Sequence, residues 1–223
     1  MNIHSVAGAP SREPKQGRSK ASYERMLAAA EKLLIKTGSD DFTLTDVSKT
    51  GKVSIGSIYC RFDSKDDLIR AVQGKMIERM DSDNLAMLAK VRAEAKGLDD
   101  FMTRFVDRYA EALRQFGPLL RPIMMCATRD RTISLTGKSS HDRFARQVKA
   151  AMLDYRAEFK HGNPERAVDS AYRVIYSTLA RYLGLGSAME VSGEGDWGEL
   201  KEDLGIMCAA FLRTPEKPVE GSL

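Results

Sequence analysis

The sequence predicts an all-α protein, and three observations lead to that prediction. Apolar residues recur with the period of an amphipathic helix, as at Met26, Leu27, Ala30, Leu33 and Leu34. Glycine and proline residues separate such segments, and no stretch alternates apolar and polar residues as a half-buried strand does. The 223 residues are 43% hydrophobic and 30% charged, which is enough to bury a core.

The N-terminal part of the sequence is predicted to form a polar arm followed by three helices. The first eighteen residues contain two glycines and two prolines among polar residues, which is typical of a flexible arm. This arm is basic, and it either lies along a nucleic acid or forms a solvated tail. Gly38 ends the first helix, because glycine readily adopts the left-handed conformation found there. Two short helices are expected at residues 43–50 and 54–62, with a turn at Gly51-Lys52.

Longer helices make up the rest of the predicted fold, for nine helices in all. Ser64 caps the first of them, and Asp66 and Asp67 lie in its first turn, where carboxylates interact favourably with the helix dipole. Glycine and proline residues mark the later breaks, among them Gly117-Pro118 and Gly137. The six predicted segments are residues 64–96, 101–115, 118–128, 140–160, 164–185 and 197–213.

Composition excludes several classes of protein. The formal net charge of +4 is too small to prove a nucleic-acid partner, so any basic surface must come from local clustering. No uncharged apolar run reaches the roughly 20 residues of a membrane span, and the polar N-terminus is not a secretory signal. Three cysteines far apart in sequence argue against a disulfide framework or a zinc ribbon. We therefore expect a cytoplasmic protein with no membrane partner.

Nothing in the sequence indicates catalysis. The three histidines have no cysteine or glutamate at the spacing of a metal site. A nucleophile elbow, a P-loop and a dinucleotide-binding fingerprint are all absent. We therefore expect no enzyme activity, no metal and no cofactor.

The segment from Phe42 to Leu68 predicts a helix-turn-helix. Two short helices flank a tight turn and carry apolar residues that would pack against the first helix. Three helices of this size bury one another's inner faces and leave the last one presented to solvent. Such a helix fits the major groove of B-DNA, which is about 12 Å wide. The apolar positions are Leu44, Val47, Val53, Ile58 and Phe62.

The outer face of that last helix has residue types suited to reading DNA. Ile58 and Phe62 are four apart and define the inward face. Gly56 allows a close approach to base edges, and Ile55 can contact a thymine methyl group. The face is short of acidic residues, which favours DNA over an ordinary polar helix surface. The expected DNA contacts are Thr43, Ser54, Ile55, Gly56, Ser57, Tyr59, Cys60, Arg61 and Lys65.

These residues resemble the DNA-binding domain of the tetracycline-repressor (TetR) family of transcriptional regulators. The similarity runs from Met26 to Leu68. Its most specific part is Val-Ser-x-Gly-Ser-Ile-Tyr-x-x-Phe followed by Ser-Lys. The resemblance implies that Thr43, Tyr59 and Lys65 contact phosphates, while residues 54–61 read the groove. Thr43 at a helix N-cap and Lys65 at a helix start suit that role, because both positions attract anions.

One departure from the family's pattern lies in the turn. Family members usually have Ala-Gly before Val-Ser, whereas this chain has Gly51-Lys52. A residue in such a turn often has a positive φ, which costs a lysine free energy that a glycine does not lose. The sequence therefore predicts either a turn shifted by one residue or a strained Lys52. Cys60 and Arg61 are also unusual at their positions, so the family's operator preferences do not transfer.

The resemblance implies a regulator built from two domains. Residues 19–70 form the DNA-binding domain and residues 71–213 form a ligand-binding and dimerisation domain. A flexible arm at 1–18 and a flexible tail at 214–223 flank them. The expected function is a repressor that binds a palindromic double-stranded DNA operator as a homodimer and is released by a small-molecule effector. Two alternatives remain open: a helical adaptor that never contacts DNA, and a DNA-binding regulator without an effector.

Within the larger domain the expected sites rest mainly on the resemblance. Two apolar stripes on the last two long helices predict a dimer interface built as a four-helix bundle, although the same stripes would also serve as monomer core. The interface candidates are Tyr172, Ile175, Leu179, Leu183, Leu204, Met207 and Phe211. Methionines and aromatic residues on the central helices predict an adaptable effector cavity, with Arg104, Arg108 and Arg121 as candidates to bind an anionic group. The cavity candidates are Met102, Phe105, Tyr109, Met124, Met125, Phe144, Met152 and Tyr155.

Overall fold

The computed structural model describes residues 17–186 and 192–215, and every regular element in these ranges is helical. The predicted all-α class is confirmed. Residues 1–16 of the predicted arm and residues 216–223 of the predicted tail lie outside the described ranges. A single 3₁₀ turn at Arg156–Glu158 accompanies the α-helices. These are α1 (Gly17–Thr37), α2 (Leu44–Gly51), α3 (Ile55–Tyr59), α4 (Lys65–Glu94), α5 (Leu98–Ala127), α6 (Arg131–Leu153), α7 (Pro164–Tyr182) and α8 (Trp197–Arg213).

The described ranges contain eight α-helices and not nine, because two predicted segments form one helix. The break expected at Gly117-Pro118 does not occur, and α5 continues through Pro118 and Pro122 to Ala127. A proline inside a helix removes one backbone hydrogen bond and costs about 3 kcal/mol. Burial of Leu119, Ile123 and Cys126 beyond the prolines offsets that cost.

The next helix also begins earlier than predicted, at Arg131 and not at Ser140. Asp130 caps it, because its carboxylate accepts hydrogen bonds from the backbone N–H groups of Thr132 (2.8 Å) and Ile133 (3.2 Å). Gln73 on α4 donates to the carbonyl of Ile133 at 2.8 Å. Gly137, predicted as a break, lies inside α6 facing that glutamine, where a Cβ atom would be 3.5 Å from its amide nitrogen.

The chain divides into two compact units. Unit 1 comprises Met1–Arg79 and Pro118–Lys138, and unit 2 comprises Met80–Gly117 and Ser139–Leu223. The helices α4, α5 and α6 therefore contribute residues to both. The corner between α5 and α6 belongs to unit 1, although the sequence placed it in the larger domain.

Unit 1 is organised around α1, which packs on α2. Met26, Ala30 and Leu34 on α1 are completely buried. The ring of Tyr23 on α1 stacks on Phe62 with centroids 5.7 Å apart. These contacts hold the region from α2 to the start of α4 against one side of α1.

Unit 2 has a core of aromatic rings and a close pairing of α7 with α8. The helix α8 also lies so near α5 that a Cβ atom on Gly205 would be 3.0 Å from the Cα atom of Thr103. Lys201 on α8 binds the carboxylates of Asp107 (2.5 Å) and Glu111 (2.8 Å) on α5. Glycine at 205 is therefore required by packing, since any side chain would push the helices apart.

Candidate nucleic-acid interface

The predicted helix-turn-helix is formed by α2, a turn and α3. Val47 and Ile58 are completely buried, and Phe62 just beyond α3 is nearly so. Ser54 caps α3, because its hydroxyl oxygen accepts a hydrogen bond from the Ser57 N–H at 3.1 Å. The helix α3 ends at Tyr59, three residues before the predicted end. The result is a short, rigid helix with one buried face and one open face.

The turn between the two helices has the geometry that its unusual sequence predicted. Lys52 has φ +50° and ψ +48°, and it is the one non-glycine residue with a positive φ in the described ranges. Two hydrogen bonds between Ser48 and Val53 close the turn: the serine hydroxyl donates to the valine carbonyl at 2.6 Å, and the Val53 N–H donates to the Ser48 carbonyl at 3.1 Å. The turn is therefore in register, and Lys52 bears the strain.

Gly51 has a different reason to be glycine. It is the last residue of α2 and is buried against α1. A Cβ atom at this position would be 3.0 Å from the carbonyl oxygen of Arg25 and 3.2 Å from the Cβ atom of Ala29. The absence of a side chain lets α2 approach α1 closely.

The open face of α3 carries most of the predicted DNA contacts. Tyr59 is 58% exposed and Ile55 is 39% exposed, and Gly56, Ser54 and Cys60 are exposed as well. Ser57 is half-buried, and its hydroxyl is 2.7 Å from that of Ser54. A Cβ atom on Gly56 would have no neighbour within 4 Å, and its φ is not positive. The fold itself therefore gives no reason for a glycine at this position.

Arg61, which the sequence placed on a flank of α3 and among the DNA contacts, is half-buried. Its guanidinium donates to the backbone carbonyl of Ser19 at 3.3 Å and to the hydroxyl of the same residue. It also lies 5.9 Å from the centre of the Tyr23 ring, within cation–π range. Arg61 thus links the end of α3 to the start of α1, and its predicted DNA contact stays a prediction.

Thr43 is the N-cap of α2 and forms a capping box with Asp46. The Asp46 N–H donates to the threonine hydroxyl oxygen at 3.1 Å, and the Thr43 N–H donates to the Asp46 carboxylate at 2.9 Å. The threonine hydroxyl also donates to that carboxylate at 2.7 Å, which lowers the pKa of Asp46. Thr43 is exposed, but its hydroxyl hydrogen must leave Asp46 before it can bind a phosphate.

Lys65 is held by the loop that precedes α2. Its ammonium donates to the Asp40 carbonyl at 2.7 Å, lies 3.1 Å from the Asp40 carboxylate and sits 5.5 Å from the centre of the Phe42 ring. A second cation, Arg129 at the corner between α5 and α6, binds the same carboxylate. The hydrogen bond from Arg129 is the main reason why the pKa of Asp40 is lowered.

Sequence reasoning missed Arg129 and Asp40, and it also missed two exposed lysines beside the turn. Lys49 and Lys52 extend the polar surface around α2 and α3. Their position in a helix-turn-helix was a signal that could have identified them. Arg129 had no such signal, because it is far from Asp40 along the chain.

Comparison with known families decides the identity of this region. Residues 26–72 match the model of the family described as bacterial regulatory proteins, tetR family. Residues 26–72 therefore form a DNA-binding domain of the TetR family. A comparison with curated proteins gives no match.

Several solved structures of regulatory proteins share the fold of this chain. A Mesorhizobium loti protein assigned to the family is 17% identical, with a TM-score of 0.70 over 88% of this chain and 98% of its own. A TetR regulator from Haloarcula marismortui is 16% identical, with a TM-score of 0.61 over 86% and 96%. The fatty acid degradation regulator FadR from Bacillus halodurans is 12% identical, with a TM-score of 0.61 over 88% and 97%. These likenesses show a shared fold, whereas the match at residues 26–72 supports a DNA-binding transcription regulator.

The predicted effector residues fall into two groups. Six of them lie in unit 2, where the ring of Tyr109 stacks on that of Phe105 and meets that of Phe144 at a tilt, with centroids 5.3 Å apart in each pair. Met102 and Met152 are completely buried, and the ring of Tyr155 is half-buried, 5.2 Å from that of Phe101. Met124 and Met125 belong to unit 1. Met125 is 58% exposed, so it is corrected to a surface residue.

Two of the three predicted anion-binding arginines form ion pairs at the start of unit 2. Arg108 binds the carboxylate of Glu94 at 2.6 Å, and Arg104 binds Asp100 at 2.6 Å and Glu94 at 3.5 Å. These pairs use most of the positive charge that the sequence offered to an anionic ligand. Arg121 lies in unit 1 and is half-buried.

The predicted dimer stripe is mostly core. Ile175 and Leu179 have no exposed surface in the single chain, so they cannot contact a second subunit. Tyr172, Leu183 and Leu204 are also buried, and these five residues are corrected to core positions. Met207 and Phe211 are exposed at 58% and 40%. The period of the helix was predicted correctly, but the face that packs within the chain is the one that was assigned to the interface.

The described residues also show whether the chain has a membrane-spanning helix or a group of metal ligands. None of the helices in the described part of the chain is both long and apolar enough to cross a membrane. The described residues contain no group of three histidine, cysteine or acidic side chains placed to hold a metal ion. Cys126 and Cys208 are buried, which raises the pKa of both thiols, that of Cys208 to about 11, whereas Cys60 is exposed.

Proposed function

We propose that this chain is a repressor that binds a palindromic operator as a homodimer and releases it when a small molecule binds. The observation that carries the DNA part of the proposal is the open face of α3 with its unexplained glycine. Packing requires Gly51 and Gly205, but nothing within the fold requires Gly56. A glycine that the fold does not need, on an exposed face, is expected where another molecule approaches the backbone closely.

The surroundings of Gly56 suit the major groove. Ile55 offers an apolar surface for a thymine methyl group, and Ser54 offers a hydroxyl. Tyr59 is exposed beside them, and its hydroxyl can donate a hydrogen bond to a phosphate. A helix this short contacts few base pairs, so two copies related by two-fold symmetry are needed for useful specificity. Half-sites about 34–36 Å apart or somewhat more would match such a dimer.

Gly56→Ala tests the docking of α3 directly. The substitution should stabilise the protein by about 0.5 kcal/mol, because alanine is the better helix former and the added methyl group has space. It should weaken operator binding about tenfold or more, because the methyl group would lie between the helix and the base edges. Urea unfolding and fluorescence anisotropy on a DNA fragment selected from genomic DNA by the wild-type protein measure the two effects.

Gly74→Ala is the matched control. Gly74 lies within α4, and a Cβ atom there also has no neighbour within 4 Å. This variant should gain about 1 kcal/mol of stability and bind the operator with wild-type affinity. Equal operator affinity for both variants would show that α3 does not approach DNA through Gly56.

A second surface supports the dimer. Val174, Ile206, Met207 and Phe211 form what we call the α7–α8 apolar face, with exposures of 51%, 54%, 58% and 40%. These are large apolar side chains on two helices that pack against each other within unit 2. Large apolar side chains left exposed on two paired helices are consistent with an interaction surface. Two copies of this face would form a four-helix interface, which is the arrangement implied by the family resemblance.

The effector part of the proposal rests on unit 2. Its aromatic stack offers apolar surface, and two buried polar atoms in the described residues have no hydrogen-bond partner, Oδ1 of Asn84 and Nη1 of Arg108. Buried polar atoms are rarely left unsatisfied, so a mainly apolar effector with one or two polar groups fits this unit. The helix α4 contributes residues to both units, which makes it the element to transmit binding to the DNA contacts.

A further inference from the structure

We propose that Asp40 is a positioning residue for DNA binding, and that Arg129 is the residue that holds it in place. The proposal rests on the proposed function, because it assumes that Lys65 contacts a phosphate. Neither residue lies in α2 or α3, and Arg129 lies outside the segment that matches the family model. In this proposal Asp40 strengthens DNA binding, although its negative charge alone would weaken it.

The geometry around Lys65 carries the first step. An ammonium group has three N–H donors. The carbonyl oxygen of Asp40 takes one donor at 2.7 Å, and its carboxylate takes a second at 3.1 Å. The Phe42 ring lies 5.5 Å from the ammonium nitrogen and restricts it further. With two donors held in fixed directions, the third is pre-oriented for a phosphate oxygen and loses little side-chain entropy on binding.

The position of Asp40 carries the second step. It lies in the loop that leads directly to the α2 N-cap, Thr43, and the Phe42 N–H donates to its carbonyl at 2.8 Å. A lysine fixed to this loop therefore lies beside the first turn of α2. The ammonium and the unpaired N–H groups of a helix N-terminus can then act on one phosphate.

The charge balance requires Arg129. A carboxylate paired with Lys65 alone would cancel its charge and weaken its attraction for DNA. Arg129 binds the same carboxylate, so the group of three has a net charge of +1. The Asp40 side chain is only 15% exposed, so water screens these pairs less than it screens a surface ion pair. Arg129 thus lets Asp40 position the lysine without neutralising it.

Asp40→Asn and Asp41→Asn form the decisive pair of variants. Both remove one negative charge from the same loop, and simple electrostatics predicts that both strengthen DNA binding. Asp41 is exposed and accepts a hydrogen bond from Ser39 at 2.9 Å, with no ion pair in the described residues. We expect Asp41→Asn to keep or slightly raise operator affinity and Asp40→Asn to lower it about fivefold or more, because Lys65 loses an anionic partner.

Arg129→Ala and Arg131→Ala test the second cation in the same way. Both arginines line one cavity of about 330 Å³ in unit 1, and Arg131 has no ion pair among the described residues. Each substitution removes one positive charge. Arg129→Ala should reduce operator affinity several-fold more than Arg131→Ala, whereas equal losses would mean that only the net charge matters. Urea unfolding of each variant identifies any loss of folded protein. If Asp40→Asn does not fold, Arg129→Ala still tests the proposal, because it leaves the Asp40–Lys65 pair in place.

Lys65→Ala separates this proposal from the function on which it rests. If Asp40 acts through Lys65, then Asp40→Asn causes no further loss of affinity in the Lys65→Ala background, and Lys65→Ala alone reduces the salt dependence of binding. Wild-type binding by Lys65→Ala would refute the phosphate contact itself. Stronger operator binding by Asp40→Asn, equal to that of Asp41→Asn, would overturn the positioning role even if the phosphate contact is confirmed.

Discussion

The left-handed conformation of Lys52 is the clearest case in this chain of a local cost accepted at one residue. An L-residue in that conformation is disfavoured by about 1–2 kcal/mol relative to the usual helical region. Its neighbour Gly51 explains why the order of the two residues is Gly-Lys and not Lys-Gly. The backbone of Arg25 leaves no space for a side chain at 51, whereas Lys52 is exposed and has space but an unfavourable φ.

Lys52→Gly should therefore stabilise the protein by about 0.5–1 kcal/mol, since the relief of strain exceeds the added flexibility of the unfolded chain. Lys52→Ala removes the same charge and keeps the unfavourable φ, so it should leave stability nearly unchanged. Gly51→Ala should destabilise by about 1–2 kcal/mol, because a methyl group would push α2 from α1. Urea unfolding followed by circular dichroism measures all three. A stability loss in Lys52→Gly equal to that of Gly51→Ala would contradict this account of the turn.

At the scale of single elements, the row of rings on α5 shows how one helix organises its unit. Phe101, Phe105 and Tyr109 are four residues apart, so they lie on one face and their rings stack along the helix. Tyr109 then meets Phe144 on α6 and Tyr172 on α7, and its hydroxyl is 3.4 Å from that of Tyr172. One helix face thus joins three helices.

Burial of these phenols makes the protein sensitive to high pH. Burial raises the pKa of Tyr172 to about 12 and raises that of Tyr109 well above its usual value. An unfolded tyrosine ionises near pH 10, so between about pH 10 and 12 the unfolded chain loses protons that the folded chain keeps. The free energy of unfolding therefore keeps its full value below about pH 10 and falls as the pH rises, by about 2 kcal/mol at pH 12 from Tyr172 alone.

Tyr172→Phe should reduce this alkaline loss of stability, and Tyr59→Phe should not, because Tyr59 is exposed. At neutral pH Tyr172→Phe should cost no more than about 1 kcal/mol, since the hydrogen bond that it removes is long. Urea unfolding at pH 8 and at pH 11 provides the comparison. If stability decreased equally in Tyr172→Phe and in the wild-type protein, the alkaline loss could not come from the raised pKa of Tyr172.

At the scale of the whole molecule, the α7–α8 apolar face tests assembly. Met207→Glu and Phe211→Asp should give folded monomers, because a charge at an apolar contact has no partner to offset its desolvation. Leu179→Glu should unfold the chain, because that side chain has no exposed surface. Light scattering with circular dichroism separates the outcomes, and wild-type dimers from both exposed-site variants would exclude this face as the interface.

Control by an effector also belongs to this scale. A molecule can release the operator only if it binds one conformation of the protein more tightly than another. Typical coupling free energies of about 1–3 kcal/mol change affinity roughly 5- to 150-fold. Operator DNA must then weaken the molecule's own binding by the same factor. Calorimetric titration of a molecule found in a thermal-shift screen, with and without operator, measures this factor. A molecule with equal affinity in both titrations would not be an effector.

Much of this protein was predictable because the signals are local. Ser54 and Thr43 were expected at helix starts, and both are N-caps. The sequence predicted either a turn shifted by one residue or a strained Lys52, and the structure has the strained Lys52. The motif around α3 identified the family before any packing was known. These features depend on hydrogen bonds and dihedral angles within a few residues, which neighbouring residues in the sequence determine.

The tertiary structure decided what depends on distant residues. Helical periodicity marks one apolar stripe on α7, but it does not say whether the same chain or a second copy covers that stripe. Ile175 and Leu179 are covered by residues of the same chain. The continuity of α5 through Pro118 depends on burial beyond the proline, which only packing provides. The pairing of Asp40 with Arg129 joins residues far apart in sequence, and no local pattern encodes it. Local preferences are encoded in a few residues, whereas the partner of a side chain is determined by the folded chain as a whole.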